Sequence, residues 1–473
     1  MSNKTFSNIK QVAIIGAGPA GIAAAKYLLA ERYFKFITIY EQRDNVGGIW
    51  NYTPGDNKLL EFQRRALPTP QTNPNASLET PKWLQPKNDF KSWFEGNIKV
   101  PTVLSALYDD LECNIPKELM QFSDFPFDGE LQLFPKRDEV LDYLEDYAEE
   151  VEDLIKLGAQ VRGIYQLEGG GWNVSYKAAH MDSSITSTYD AIVFATGHYD
   201  IPHIPEIEGL KDWKERYPRT KVIVVGNSAS GLDIGSQIAT VCKHPLLVSQ
   251  RSESYLSPGP TSDKVELPEI TKLDADSRTV TFANGHQEAG VDAILFCTGY
   301  FYSFPMLRGL EPPLISDGAR VQNLYQHIFW RPDPTIAFLA LPQKVTPFPI
   351  AQVQSAVVAR AWSGRLSLPS EPDMREWEQA AIAEQGAGKR FHNLQYPKDA
   401  QYINTLYKWA EEAEPREGLE RGGKGKASTK WDDRYCWLRE RFPAIRKAFS
   451  ERGAGRSSIK SVEQLGFLYA ESH

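Results

Sequence analysis

Short apolar runs rich in β-branched residues alternate with stretches of helical spacing along this chain, and glycine marks the changeovers. Residues 12–15 form one such run; it turns at Gly16 and continues to Leu29 with helical spacing, which predicts a strand, a tight turn and a helix. A second strand is predicted over 36–40. The same order returns after Lys221, with a strand ending at Gly226, a helix to Ala239 and a strand over 246–249. Between these blocks, Val140, Leu144, Tyr147, Val151 and Leu154 predict an amphipathic helix over 138–157, stopped by Gly158. Residues 172–177, 190–195 and 291–297 read as strands, the last two running into Thr196-Gly197 and Thr298-Gly299. Pro54, Pro68, Pro70, Pro74, Pro81 and Pro86 break residues 51–102 into what reads as a long surface insertion. The pattern predicts an α/β fold with two dinucleotide-binding Rossmann-like domains, the second inserted into the first. The expected divisions are 1–204, 205–298 and 299–473, the last piece completing the first domain with a helical C-terminal segment.

The glycines carry the first chemistry. Gly16, Gly18 and Gly21 form G-x-G-x-x-G between strand and helix: Gly16 permits the turn, Gly18 lets backbone approach a pyrophosphate, and Gly21 lets helix pack on strand. Pro19 and Ala20 open the helix, whose unpaired amides suit phosphate oxygens. Glu41, 20 residues past Gly21, stands where an acid accepts hydrogen bonds from ribose hydroxyls. In the second copy Gly226 and Gly231 match the outer glycines, Ser228 replaces the middle one, and Ala229 and Ser230 follow. By count from Gly231, Arg251 falls where Glu41 does. A carboxylate there would repel a 2′-phosphate, whereas a guanidinium grips one; Lys243 and Ser252 are alternative holders of that role. Two different dinucleotides in one chain suggest FAD reduced by NADPH.

Composition narrows the field further. The 473 residues are 41% hydrophobic, enough for a proper core, and carry 61 acidic against 53 basic groups without a long basic block, so no nucleic-acid footprint is expected. Four scattered cysteines suggest neither a disulfide framework nor a metal site, and a reducing, cytoplasmic setting is expected. No run reaches the length needed to span a bilayer, so a soluble protein is expected.

Longer strings then point to a family. GAGPAG, EQRDNVGGIW from Glu41, NIPKELMQFSDFPF from Asn114, ATGHYDIPHIP, GNSASG and CTGYFYSFP together resemble the flavin-containing monooxygenases, most closely their soluble fungal branch, nearly end to end. The resemblance implies that NADPH reduces FAD, that the reduced flavin captures O2 as a C4a-hydroperoxide, and that a nucleophilic nitrogen or sulfur of a small molecule takes the distal oxygen. It places Asn114, within Cys113-Asn114-Ile115-Pro116, beside the reactive flavin edge, although a turn or capping asparagine before Pro116 fits the same residues. Gly48, Ile49, Trp50, Cys113, Thr196, Gly197 and Gln354 should contact the flavin nucleotide, and Ser228 to Gly231 the NADPH pyrophosphate. His198 and His327 read better as structural histidines than as acid–base groups. The family string F-x-G-x-x-x-H-S is absent from residues 209–227, which reads as a deletion between Tyr217 and Lys221, and Gln352 stands where relatives often have glutamate. A Baeyer–Villiger oxygenase, or a degenerate flavoprotein that serves as a binding or regulatory protein or as an uncoupled NADPH oxidase, stays open as an alternative. The implied substrate is a small amine or sulfide of specialised metabolism, an alkaloid amine among them. Oligomeric state is not legible.

Overall fold

The computed structural model describes residues 4–52, 82–84, 100–102, 105–178, 181, 183–214, 219–252, 262–307 and 309–470. The proline-punctuated insertion lies almost wholly outside these residues, and the deletion point after Tyr217 partly so. The described residues divide into two compact units: those up to 198 together with those from 302 onward form one, and those of Tyr199–Phe301 form the other.

In the first unit, Gln11–Ile15 pairs in parallel with Phe36–Tyr40 on one side and Ala191–Phe194 on the other. Ile155–Lys156 and Ile336–Phe338 extend this parallel sheet outward, and two short antiparallel strands bring it to seven. Val12, Ala13 and Ile14 have no exposed surface, which is why the strand reads as a continuous apolar run and not as an alternation. Ala13, Ile15 and Tyr40 share one core cluster with Trp172 and Val174 of a three-stranded antiparallel sheet, Ala159–Gln166, Trp172–Ala178 and Ile185–Tyr189. The helix Pro19–Ala30 packs on the parallel strands and against Pro347–Trp362, which is buried from Phe348 to Trp362 because it is apolar or small nearly all round. Three further helices, Glu371–Gln385, Lys398–Glu411 and Asp433–Ser450, belong to this unit.

The second unit is a four-stranded parallel sheet in the order Lys264–Leu267, Leu246–Ser249, Val222–Val225, Ala293–Phe296, with the helix Ala229–Ala239 and a small antiparallel sheet. Its incoming and outgoing segments pair with each other, Ile201 opposite Phe301 and Pro202 opposite Tyr300. One expected element is shorter than its periodicity suggests. The helix predicted over 138–157 runs only from Arg137 to Ala148 and tightens into a 3-10 stretch, Glu149–Leu154. Ile155 and Lys156 then leave it to pair with Ile39 and Tyr40. Tertiary pairing overrides local spacing there.

Candidate active site

The first glycine loop is built from backbone proximity. Gly16 adopts φ +104°, its N–H donates to Tyr40 O at 2.8 Å, and a Cβ on it would stand 2.5 Å from Ala195 O, so only glycine fits between the two neighbouring strands. A Cβ on Gly21 would lie 1.9 Å from Gly16 O. Gly18 meets a second glycine turn: its Cβ would come 3.6 Å from Gly48 Cα, and one on Gly48 would come 3.1 Å from Gly18 Cα. Gly47 N–H fixes that turn by donating to Ala17 O at 3.0 Å. Gly48, Ile49 and Trp50 form its partly exposed 3-10 helix. Thr196 lies against Gly16, and Gly197 beside it is exposed with φ +69°. Pro19 opens the following helix at a position that needs no N–H donor, and buried Ala20 follows it. Glu41 is buried beside the loop, accepting from Ala17 N–H at 2.8 Å and Arg43 N–H at 2.9 Å. Burial raises its carboxyl pKa, and the amides of Ala17 and Arg43 pull the other way. Close backbone, a helix N-terminus and an acid at the end of the second strand are the donor and acceptor set that an adenine dinucleotide fits.

The second loop repeats this construction. Gly226 adopts φ +103°, donates to Ser249 O at 2.8 Å and abuts Cys297 O, while a Cβ on Gly231 would lie 1.9 Å from Gly226 O. Ser228 stands at the N-cap position, the place of Gly18, and is exposed, with Ala229 and Ser230 after it. One equivalence shifts. Tyr40 lies opposite Ile15 and Ser249 opposite Val225, 19 and 18 residues after Gly21 and Gly231. The second connection is therefore one residue shorter, so Gln250, not Arg251, stands at the strand end that Glu41 occupies. Arg251 follows it, exposed. Gln250 accepts from Asn227 Nδ2 at 2.6 Å and donates to Glu266 at 2.7 Å. Counting along the sequence could not find it.

Asn114 sits in a bend, exposed, with no side-chain hydrogen bond among the described residues. Its backbone surroundings are pinned: buried Cys113 donates its N–H to Pro135 O and Lys117 donates its own to Leu133 O, each at 2.9 Å. The same stretch of chain touches the Gly48 turn, since Ser105 Oγ donates to Ile49 O at 2.5 Å and Leu141 abuts Gly47. Gln354 is fully buried and its amide is committed, accepting from Ala340 N–H at 2.8 Å and donating to Tyr402 at 2.9 Å. Gln352 has a reason to be an amide. Its oxygen accepts from Ser123 N–H at 3.0 Å, Ser123 Oγ at 2.9 Å and Thr429, while its nitrogen donates to Asp124 at 2.6 Å, where a glutamate would set two carboxylates together.

His198 and His327 are buried, and burial lowers their pKa values to about 4 and about 3. Val321 N–H donates to His392 Nε2 at 3.1 Å, so neutral His392 carries its proton on Nδ1, which donates to His327 Nδ1 at 3.0 Å. These imidazoles are neutral structural partners at neutral pH. No helix among the described residues is long and apolar enough to cross a membrane.

Comparison with known proteins agrees with this geometry. The model of the family described as flavin-binding monooxygenase-like matches residues 93–259 and 264–416, and a model of an NAD(P)-binding Rossmann-like domain matches 14–77. The chain is 33% identical to Flavin-containing monooxygenase FMO GS-OX-like 2 of Arabidopsis thaliana, over 83% of each chain. It is 28% identical to the Thiol-specific monooxygenase of Saccharomyces cerevisiae, over 92% of each. Among solved structures, S-allyl-L-cysteine S-oxygenase from Allium sativum superposes with a TM-score of 0.74 at 27% identity, covering 97% of both chains.

Proposed function

The chain belongs to the flavin-binding monooxygenase-like family, and from that premise we propose that it oxygenates the sulfur of a small thioether or thiol. It is a flavin-dependent monooxygenase whose cofactors are FAD and NADPH. When bound, the flavin supplies the oxygen chemistry: two electrons from NADPH and one O2 leave one oxygen atom on the substrate and the other in water, with NADP+ released. Sulfur is favoured by one observation, the 27% identity over 97% of both chains with a protein named as an S-oxygenase.

The protein's own residues do the holding. The Gly16–Gly21 loop amides take the FAD pyrophosphate, Glu41 accepts from the ribose hydroxyls, and Gly48, Ile49, Trp50, Thr196 and Gly197 line the flavin. In the second unit, Gly226 and Ser228 to Gly231 take the NADPH pyrophosphate and Arg251 the 2′-phosphate. The exposed Asn114 amide offers hydrogen bonds to the reacting edge of the ring, where shielding from water decides between product and hydrogen peroxide. Gln354 supports the site through Ala340 and Tyr402. A cytoplasmic setting belongs to the same proposal, supported by cysteines scattered without a pair motif.

The test is incubation of FAD-loaded protein with NADPH, 18O2 and, separately, methyl phenyl sulfide, cysteine, a tertiary amine and a cyclic ketone. A sulfoxide or sulfenyl product carrying one 18O is expected. Exclusive N-oxide would move the assignment to amines, an ester to Baeyer–Villiger chemistry, and hydrogen peroxide alone to an uncoupled oxidase.

A further inference from the structure

The C-terminal stretch fastens both sides of the loop that carries Asn114. Glu112, two residues before it, has an almost covered side chain that accepts from Arg456 Nε at 3.0 and 3.1 Å, lies 3.5 Å from the Arg446 guanidinium, and accepts from Gln132 at 3.4 Å. Glu118, four residues after it, pairs with Arg434 at 2.7 Å, and Arg434 also faces Glu463 at 3.8 Å. The facing side of the loop is tied to the same stretch. Leu133 N–H donates to Ile459 O at 2.7 Å, Lys460 pairs with Glu130, and Phe134 packs on Phe449 with ring centroids 4.8 Å apart. Lys117 closes the loop on itself, its ammonium donating to the carbonyls of Asp128, Gly129 and Leu131 at 3.1, 2.8 and 2.6 Å.

From this arrangement we infer that Asp433–Ser450 and the Gly453–Ser458 turn form a strap that sets the position of Asn114, with Glu112, Arg456 and Arg434 as positioning residues. The inference rests on the reading of Asn114 given above. Arg456 and Arg434 are more than a third exposed, and ion pairs so placed add little to global stability. Geometry is what they can contribute, because a misplacement of about 1 Å at a reacting centre costs roughly a hundredfold in rate. Asn114 has no side-chain partner of its own among the described residues, so backbone on either side fixes where its amide points. Sequence reasoning had no signal for this, since the partners lie more than 300 residues apart.

The test uses the full-length FAD-loaded enzyme with Arg456→Gln, Arg456→Lys, Glu112→Gln, Asn114→Ala and the double variant Arg456→Gln/Asn114→Ala. Amide hydrogen exchange over residues 112–120 should quicken roughly tenfold in Arg456→Gln and Glu112→Gln, with the melting temperature barely moved in Arg456→Gln. The share of NADPH electrons lost to hydrogen peroxide should rise severalfold in both, with flavin reduction by NADPH unchanged, and Arg456→Lys should recover part of the loss. The double variant should be no worse than Asn114→Ala. If Asn114→Ala raises the peroxide share and Arg456→Gln and Glu112→Gln do not, the strap is refuted and the reading of Asn114 stands. Additive losses in the double variant also refute it. If Asn114→Ala leaves the peroxide share alone, the reading of Asn114 falls and the strap with it.

Discussion

At the residue scale, the two dinucleotide loops differ by what surrounds them and not by how they turn. Gly18 faces the Gly48 turn, whose Cα a Cβ on it would meet at 3.6 Å, whereas Ser228 holds the same place exposed. Adding a methyl group to Gly48, where φ is +59° and Gly18 Cα would lie 3.1 Å away, should weaken FAD retention by tenfold or more, read as flavin lost on gel filtration. If Arg251 holds the 2′-phosphate as proposed, Arg251→Ala should raise KM for NADPH by roughly tenfold or more and leave NADH nearly unaffected; equal effects on both would move the selectivity to Lys243 or Gln250. Asn114→Ala should keep FAD and its reduction but forfeit product, measured as sulfoxide formed per NADPH oxidised. The turn at Gly16 and the close packing at Gly21 were legible in sequence because each follows from backbone geometry at fixed spacing. The match of Arg251 to Glu41 was not, since a connection one residue shorter in the second unit puts Gln250 there, and only hydrogen-bonded register reveals it.

At the scale of elements, strands and helices that bury continuous apolar faces were readable, and those decided by partners were not. Leu246–Ser249 and Phe36–Tyr40 have the bounds their apolar runs suggest. The acidic helix ends early because Ile155 and Lys156 are worth more as an edge strand, satisfying backbone groups along Phe36–Tyr40, than as a last helical turn. The buried helix Pro347–Trp362 carries a test of its own. Gln352→Glu would replace a buried donor by a buried carboxylate facing Asp124, which is exposed and paired with Lys426 at 2.7 Å, and a loss of about 2–4 kcal/mol in urea unfolding is expected at neutral pH. Recovery by Gln352→Glu/Asp124→Asn would tie the loss to that contact.

At the scale of the whole molecule, His198, His327 and His392 make stability sensitive to acid. Burial holds all three folded-state pKa values below the ordinary 6.5, with His327, His198 and Arg320 adding repulsion at His392. A lowered folded-state pKa means that the unfolded chain binds the proton first. The stability is therefore intact above about pH 6.5 and is lost as pH falls toward the folded-state values, at about 1.4 kcal/mol per unit for each imidazole. Urea midpoints between pH 7.5 and 5 should fall accordingly, and His327→Gln should flatten the slope by close to one proton; an unchanged slope would show that this imidazole already titrates in the native state. The sequence by itself determined the α/β class, the two nucleotide loops and the family, because glycine spacing and buried strands are local requirements that leave their mark residue by residue. Tertiary structure alone decided which residue ends each second strand, why position 352 is an amide, and which distant arginines grip the Asn114 loop, because those follow from contacts between segments whose separation no local pattern encodes.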